Sequence, residues 1–429
     1  MNSSSSKRVG LLVLVASLGY FVDIYDLVLF NVVKKESLLD IFGQLSMEEL
    51  IDYEMNLFSY QMVGMLIGGI LWGIYGDKKG RVSVMFGSIM MYSVANIINA
   101  FAYDLTTYSI LRFIAGVGLA GELGAGITLV VESMDKKNRG WGTMTIVTVG
   151  VCGAVVASLV GTEGHVIAEL IYPLTGVQFA NWQIAYLLGG IMGLGLLVMR
   201  AGALESGMFR EIQAKDSVSK GNVALFFNDK RRFFKYLNSI LLGLPIWLVI
   251  GILVGQSDKI AMALGVEGEV KVSDSIMFAY IGLCVGDFAS GMFSQVFKTR
   301  KKVILTFQII LFVTCTIYLF NKNVSVTYFK VMCTVLGFAA GYWALFVTNA
   351  AEQFGTNIRS LSSNTIPNFV RGAVWPLSEI FKAMLPKEDP ISGILFASIS
   401  ITGSVFIVAF IATYFTEETF GKDLDYVEK

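Results

Sequence analysis

The chain has 429 residues, of which 55% are hydrophobic and 15% charged. Its 33 Lys and Arg residues balance 33 Asp and Glu residues. A composition this apolar excludes an ordinary soluble domain, and the charge balance offers no basic surface to nucleic acid.

About 20 apolar residues cross a bilayer. By that measure the sequence predicts twelve spans, at 9–33, 54–76, 83–101, 107–133, 141–163, 182–203, 236–256, 273–297, 301–320, 326–354, 361–385 and 390–416. Lys7 and Arg8 precede the first run as they would in a cleaved signal peptide. The run continues to Val33, however, and many similar ones follow, so a retained first span is expected. Cys152, Cys284, Cys315 and Cys333 all fall in apolar segments without metal-ligand spacing. Neither a zinc site nor a disulfide framework is expected. The single His165 is expected in a wet loop.

Lys and Arg in the loops set orientation. One set of loops carries Lys78, Lys79, Arg81, Lys136, Lys137, Arg139, the stretch Arg210 to Lys235, Lys298 to Lys302, and Arg359. The other carries scattered lysines and no arginine. Both termini are therefore expected in the cytoplasm, in a plasma (inner) membrane. Segment 204–235 is polar and basic, and divides the chain into a six-span bundle, 1–203, and a second, 236–429. The halves echo each other: "ESMDKKNR" ends span 4 and "EQFGTNIR" ends span 10, each with Glu seven residues before Arg. The expected fold is an all-α membrane protein of twelve transmembrane helices in two six-helix pseudo-repeats. Parallel repeats of this kind place a central site at their interface.

The loop after span 2 reads "GIYGDKKGRV", from Gly73 to Val82. It resembles the signature of the major facilitator superfamily. "RFIAGVGLAGELGAG" in span 4 resembles the metabolite:proton symporters and sugar porters. "LESGMF" after span 6 resembles their Glu-Ser-Pro element, with Gly207 in place of Pro. The counterpart turn in the second half, "GMFSQVFKTRKK", has Gln295 where the acid would be. The resemblance implies alternating access, with Gly73, Asp77, Gly80 and Arg81 as a gating turn. Glu132, Arg139, Glu352 and Arg359 are expected to form a repeated clasp at the cytoplasmic ends.

Ionisable groups at membrane depth are functional candidates. Asp23 and Asp26 sit three residues apart in span 1. At 1.5 Å per residue, Asp23 lies about 21 Å above the cytoplasmic side, and Arg112 in span 4 reaches about the same level. An Asp23–Arg112 pair is expected, which resembles the first-span acid and fourth-span Arg of related symporters. Asp26 then remains unpaired and able to carry a coupled proton. Glu122 is a second proton carrier or, equally, a structural partner of a neighbouring helix. In span 11, Asn364, Asn368, Arg371 and Trp375 recur at helical spacing and share one face. Arg371 is near the midplane, where a guanidinium matches a carboxylate in bidentate fashion. The alternative is a salt bridge from Arg371 to Asp287 or Glu379. Trp343 and Asn349 in span 10 are further candidate lining residues.

These features predict a secondary transporter, acting as a monomer, that moves a small polar metabolite with protons, most simply an organic acid. An uncoupled facilitator, an exporter and a non-transporting sensor are the alternatives. The sequence has no nucleotide loop, metal cluster or nucleophile–base constellation. No enzyme activity, cofactor or ATP drive is expected.

Overall fold

The computed structural model describes residues 3–79, 81–124, 126, 139–205 and 226–422. Its helices fall on the twelve predicted spans. The first half has Ser3–Phe42, Met47–Lys79, Arg81–Asn99, Leu105–Leu119, Arg139–Thr175 and Asn181–Glu205. In the second half, span 7 is a series of short pieces: Lys230–Leu241, Leu244–Trp247, a π-helix over Leu248–Val254, and Ser257–Leu264. Val272–Phe297 and Lys301–Phe320 are spans 8 and 9. Span 10 breaks between Val326–Ala340 and Trp343–Glu352, span 11 between Thr356–Gly372 and Val374–Ala383, and Pro390–Phe415 is span 12.

Several helices outrun their predicted spans, because the apolar ruler measures the membrane core rather than the helix. Span 5 is the clearest case. It continues to Thr175, so His165 lies on an exposed helical extension rather than in a loop. Among the described residues, nine helices are long and apolar enough to cross a membrane. The first helix of span 4 is 15 residues long, and after a turn at 120–121 the span runs toward the undescribed 127–138. Span 11 is interrupted at Ala373 and carries the polar run "SNTIPNFVRG". Pro367 and Pro376 flank that interruption, as expected of residues that bend or start helices.

Local chemistry starts and stops these helices. Asp104 caps span 4 by accepting from the Thr107 backbone N–H at 2.9 Å, and Asp229 caps span 7 by accepting from Arg232 N–H at 2.8 Å. Gly265 ends the last piece of span 7 in the left-handed region, φ 68°, which glycine adopts without strain.

Within the first half, span 1 packs on span 5, span 2 on span 4, and span 3 on spans 4 and 6. Span 8 packs on span 10, and span 9 on spans 10 and 12. The halves meet along span 5 against span 8 and span 2 against span 11. Span 4 achieves its close approach through glycine. A Cβ on Gly116 would sit 2.1 Å from the Gln61 carbonyl oxygen of span 2. One on Gly124 would sit 2.4 Å from the Asn364 side-chain oxygen in the other half.

Candidate functional site

Spans 1, 3, 4, 6, 7, 8, 10 and 11 converge on a buried polar centre. Span 1 supplies Tyr20, Asp23 and Asp26, one turn apart, on the face turned to both bundles. Asp23, Asp26, Arg112, Asp287 and Arg371 are all 0% exposed.

Arg371 is the second half's contribution. Its guanidinium lies over both Trp247 and Trp343, 5.3 Å from each centroid, where the two rings meet edge to face 6.1 Å apart. It donates to the Tyr20 hydroxyl at 3.2 Å, and Trp343 Nε1 donates to the same oxygen at 2.9 Å. Tyr20 thus ties the first half to spans 10 and 11. Arg371 Nε and Nη1 have no partner among the described residues. They leave part of a planar donor fork unused, in the geometry that suits a carboxylate.

Arg112 is the corresponding cation of the first half. It donates to Asn96 Oδ1 at 2.6 Å and lies 4.7 Å from the Tyr186 ring centroid. Its Nε and Nη1 are also without partners. Asp26 stands within reach of the Arg112 charge and beside Asn96, while the cation acting most on Asp23 is Arg371. Neither aspartate has a hydrogen-bond partner for either oxygen among the described residues. The expected Asp23–Arg112 pair does not form: neither aspartate has a salt-bridge partner among the described residues, and the Arg371 charge acts on Asp23 and the Arg112 charge on Asp26. Depth along each helix fixed the level of these groups but not the direction each faced around its axis.

Glu122 is held by Arg200, from span 6, through two buried hydrogen bonds, one of 2.9 Å from Nη1 and a second from Nη2. Of its two expected roles, the geometry matches the structural partner. Asp287 accepts from the Ala344 backbone N–H at 2.9 Å, and Glu379 pairs with Lys382 at 3.1 Å. Neither is bridged to Arg371, so the alternative of a span 11 salt bridge does not hold. Trp375 is 46% exposed, on the outer surface rather than in the site. The break at Ala373 rotates it away from the face of Arg371. Asn349 donates to Thr419 at 3.0 Å, beside the C-terminal segment, and so is not central either. Asn364 and Asn368 lie on the Arg371 face but donate across the halves, to the carbonyls of Gly69 at 3.1 Å and Ala120 at 2.8 Å. They join the bundles rather than line an opening.

Comparison with known proteins decides the family. The model of the Major Facilitator Superfamily matches residues 16–377. The chain belongs to the major facilitator superfamily. It is 26% identical over 361 residues, 83% of this chain and 84% of the relative, to a Bacillus subtilis protein that carries the provisional name niacin/nicotinamide transporter NiaP. It is 30% identical over 147 residues, 34% of this chain and 33% of the relative, to the Escherichia coli 3-(3-hydroxy-phenyl)propionate transporter. The solved structure of the proton:xylose symporter XylE has the same fold, with a TM-score of 0.68, 16% identity and 98% of both chains covered. The protein is thus a transporter of small metabolites and not an enzyme.

Contacts join the halves toward both ends of the bundles. At the end that the loop charges predict to face outward, three buried charges and the partly buried Asp258 straddle the halves. Glu54 Oε2, at the start of span 2, accepts from Lys259 of the second half at 2.7 Å and pairs with Lys34 of span 1 at 3.2 Å. Lys259 also pairs with Asp258 at 3.2 Å. Lys34 donates to the Gly255 carbonyl at 2.7 Å, where span 7 is broken and that carbonyl lacks a helical donor. On the inner side, the Asn364 and Asn368 bonds and the approach of Gly73 to Leu361 bring span 11 onto spans 2 and 4. A Cβ on Gly73 would lie 2.8 Å from Leu361 Cδ1.

Of the expected gating groups, Gly80 and Glu132 and the side chains of Asp77, Arg81 and Arg139 lie outside the described residues. Glu352 pairs with Arg300 at 3.2 Å and accepts from Thr419 at 2.9 Å, and Arg359 donates to the Phe354 carbonyl at 3.3 Å. Sequence reasoning missed Tyr20, Asn96, Tyr186, Arg200 and Trp247. It counted Lys34 and Lys259 as loop charges. For Arg200, the signal was a lone cation at the end of an apolar run. For Glu54 and Lys259, it was charge at span ends.

Proposed function

We propose that the chain is a proton-coupled symporter of a small carboxylate, most simply an aromatic one, that works by alternating access as a single chain in the inner membrane with both termini cytoplasmic. One observation carries this reading. At the junction of the halves, two buried carboxylates without hydrogen-bond partners, Asp23 and Asp26, face two guanidiniums with unused donors, Arg371 and Arg112. A substrate carboxylate has a donor fork to occupy at Arg371, beside two indoles against which an aromatic ring can pack. A buried acid without a partner is the kind of group that binds and releases a proton as its surroundings change. The basic loops support the orientation. The relatives named above support the substrate class, since niacin, printed together with its amide in the first name, and 3-(3-hydroxyphenyl)propionate are both carboxylic acids that carry an aromatic ring.

The test is substrate and proton flux measured together in proteoliposomes, with nicotinate and 3-(3-hydroxyphenyl)propionate as probes. Asp23→Asn should abolish accumulation driven by a pH gradient and leave substrate-for-substrate exchange intact. Full accumulation with normal proton flux in that variant would remove Asp23 from the mechanism. Transport by the parent that ignores the pH gradient would favour the uncoupled facilitator.

A further inference from the structure

The two halves also meet at a pair of thiols. Cys152 of span 5 and Cys284 of span 8 are both free, and their sulfurs are 3.6 Å apart. They come from opposite bundles, along one of the two seams where the bundles touch. The Thr148 carbonyl accepts from both, at 3.5 Å from Cys152 and 3.3 Å from Cys284. One backbone oxygen thus gathers the two thiols. Each is 13 residues from the cytoplasmic end of its helix, Arg139 or Phe297, so both lie about 20 Å along it at the same height.

Their surroundings are lipid-facing. Cys152 follows the exposed Val149 by three residues and lies between it and the exposed Leu159. Cys284 sits between the exposed Ile281 and Phe288, next to the exposed Val285. At spacings of three and four these residues share the outer face of their helices, and both cysteines are themselves partly exposed. The pair therefore opens toward acyl chains rather than toward either aqueous side.

We infer that Cys152 and Cys284 form an oxidation site for hydroperoxides dissolved in the membrane, and that the disulfide staples the two bundles together. A lipid hydroperoxide supplies the two oxidising equivalents. One thiol sulfur attacks the terminal peroxide oxygen and the O–O bond breaks. The lipid alcohol leaves with the thiol proton, and a sulfenic acid remains. The second thiol sulfur attacks the sulfenic sulfur, the S–S bond forms, and the hydroxyl leaves as water with the second thiol proton. In sum, two thiols and one hydroperoxide give one disulfide, one alcohol and one water. The sulfurs must close by about 1.5 Å to reach bonding distance, a movement within side-chain rotation. Rocking the bundles requires spans 5 and 8 to slide at this seam. A covalent bond across it holds them in one relation.

The experiment uses the full chain in liposomes and needs no transport substrate. Linoleic acid hydroperoxide is added, and the disulfide is read by mass spectrometry of linked peptides. Conformational opening is read by hydrogen exchange of 255–264 at the outer end and 364–371 on the span 11 side. The linked Cys152–Cys284 peptide should appear with the lipid hydroperoxide and not with a charged aqueous disulfide reagent. Exchange in both segments should fall and return on reduction with dithiothreitol. Cys152→Ser and Cys284→Ser should each fold, give no linked peptide and show no peroxide-dependent change. Failure to form the linked peptide would overturn the site. Formation without a change in exchange would overturn the staple. A peroxide effect that persists in both serine variants would place it elsewhere.

Discussion

Glu54→Gln tests whether the outer charge cluster holds the transporter closed. In the closed form, Glu54 accepts from Lys259 across the halves at 2.7 Å, and Lys34 donates across them to Gly255 at 2.7 Å. When the outer ends part, Lys34 keeps Glu54 from its own half and Lys259 keeps Asp258 from its own. No lysine is stranded, so the cluster divides into two neutral pairs and only the cross-half bonds are lost. A charge-assisted bond of this kind has a net value of about 1.5–3 kcal/mol. The amide weakens the Lys34 contact in both states, and that part cancels. What remains is the closed-state bond, so the equilibrium should move toward an outward-open form by about 10- to 150-fold. Asn31 lines the outer cleft, of about 390 Å³, together with Lys34 and Asp258. A cysteine placed there, with the four native cysteines replaced by serine, reports opening through its rate of reaction with an impermeant maleimide. Glu54→Gln should raise that rate at least about tenfold. Lys382→Ala, which loses partly exposed contacts with Asp52 at 3.1 Å, Asn56 at 2.5 Å and Glu379 at 3.1 Å, should change it by less than about threefold. A rate in Glu54→Gln within about twofold of the parent, in protein of normal thermal stability, would refute the reasoning.

Other changes probe the centre and the tail. Arg371→Lys keeps the charge but loses the planar fork and its contact with the Trp247 and Trp343 rings, so nicotinate binding measured by thermal shift should weaken by about tenfold or more, with the unliganded protein still folded. Glu122→Gln strands the buried Arg200 and should destabilise the chain by about 3 kcal/mol in denaturant unfolding, with much of the loss recovered by adding Arg200→Gln. A neutral single variant would show that the pair is not structural. Burial pushes the Glu418 carboxyl up, but hydrogen bonds from the Thr299 hydroxyl and the N–H groups of Arg300, Phe420 and Lys301 outweigh it and leave it below the usual carboxylate value. A depressed acid stabilises above the unfolded value of about 4.3 and loses that contribution as pH falls through the depressed one. Docking of 416–422 onto the start of span 9 should therefore hold at neutral pH and loosen in acid, as read by hydrogen exchange corrected for intrinsic rate. Glu418→Gln should loosen it already at pH 7.

The spans were legible because desolvating a backbone without partners is prohibitive, and twenty apolar residues leave few alternatives. The interruptions were less so. The π-helix at Leu248–Val254 has no local marker beyond Gly251 and Gly255, and tertiary packing decides it. Arg371, Asp23 and Asp26 stood out because charge is rare at depth. Their partners did not. Which cation faces which aspartate depends on rotation of each helix about its axis, and spacing within one helix says nothing of rotation relative to another. Trp375 shows the same limit within a single span: its spacing from Arg371 was helical, but the break at Ala373 changed its face. The outer cluster escaped notice because Lys34 and Lys259 resemble ordinary loop lysines until Glu54 is placed between them.

Charge balance at the centre bears directly on coupling. The described buried acids there are Asp23, Asp26, Glu122 and Asp287, and the cations are Arg112, Arg200 and Arg371. Glu122 and Arg200 neutralise each other and are removed from the count. Three acids then face two guanidiniums, so the empty centre already favours one bound proton. A substrate carboxylate that docks on Arg371 adds a further negative charge to a buried site. Holding uncompensated charge in such a site costs several kcal/mol. The inexpensive way to admit the anion is to bring a proton with it, onto the aspartate that loses its share of Arg371. Asp23 is that group, because it lies one turn from Tyr20, to which Arg371 donates at 3.2 Å. Asp26 lies a further turn along span 1. Proton uptake on binding should therefore be about one per carboxylate, and Asp23→Asn, which is neutral throughout, should bind nicotinate with no net proton uptake. Simultaneous calorimetry in two buffers of different ionisation enthalpy measures this. Unchanged uptake in Asp23→Asn would move the exchange to Asp26, and no uptake in the parent would remove the charge argument for symport.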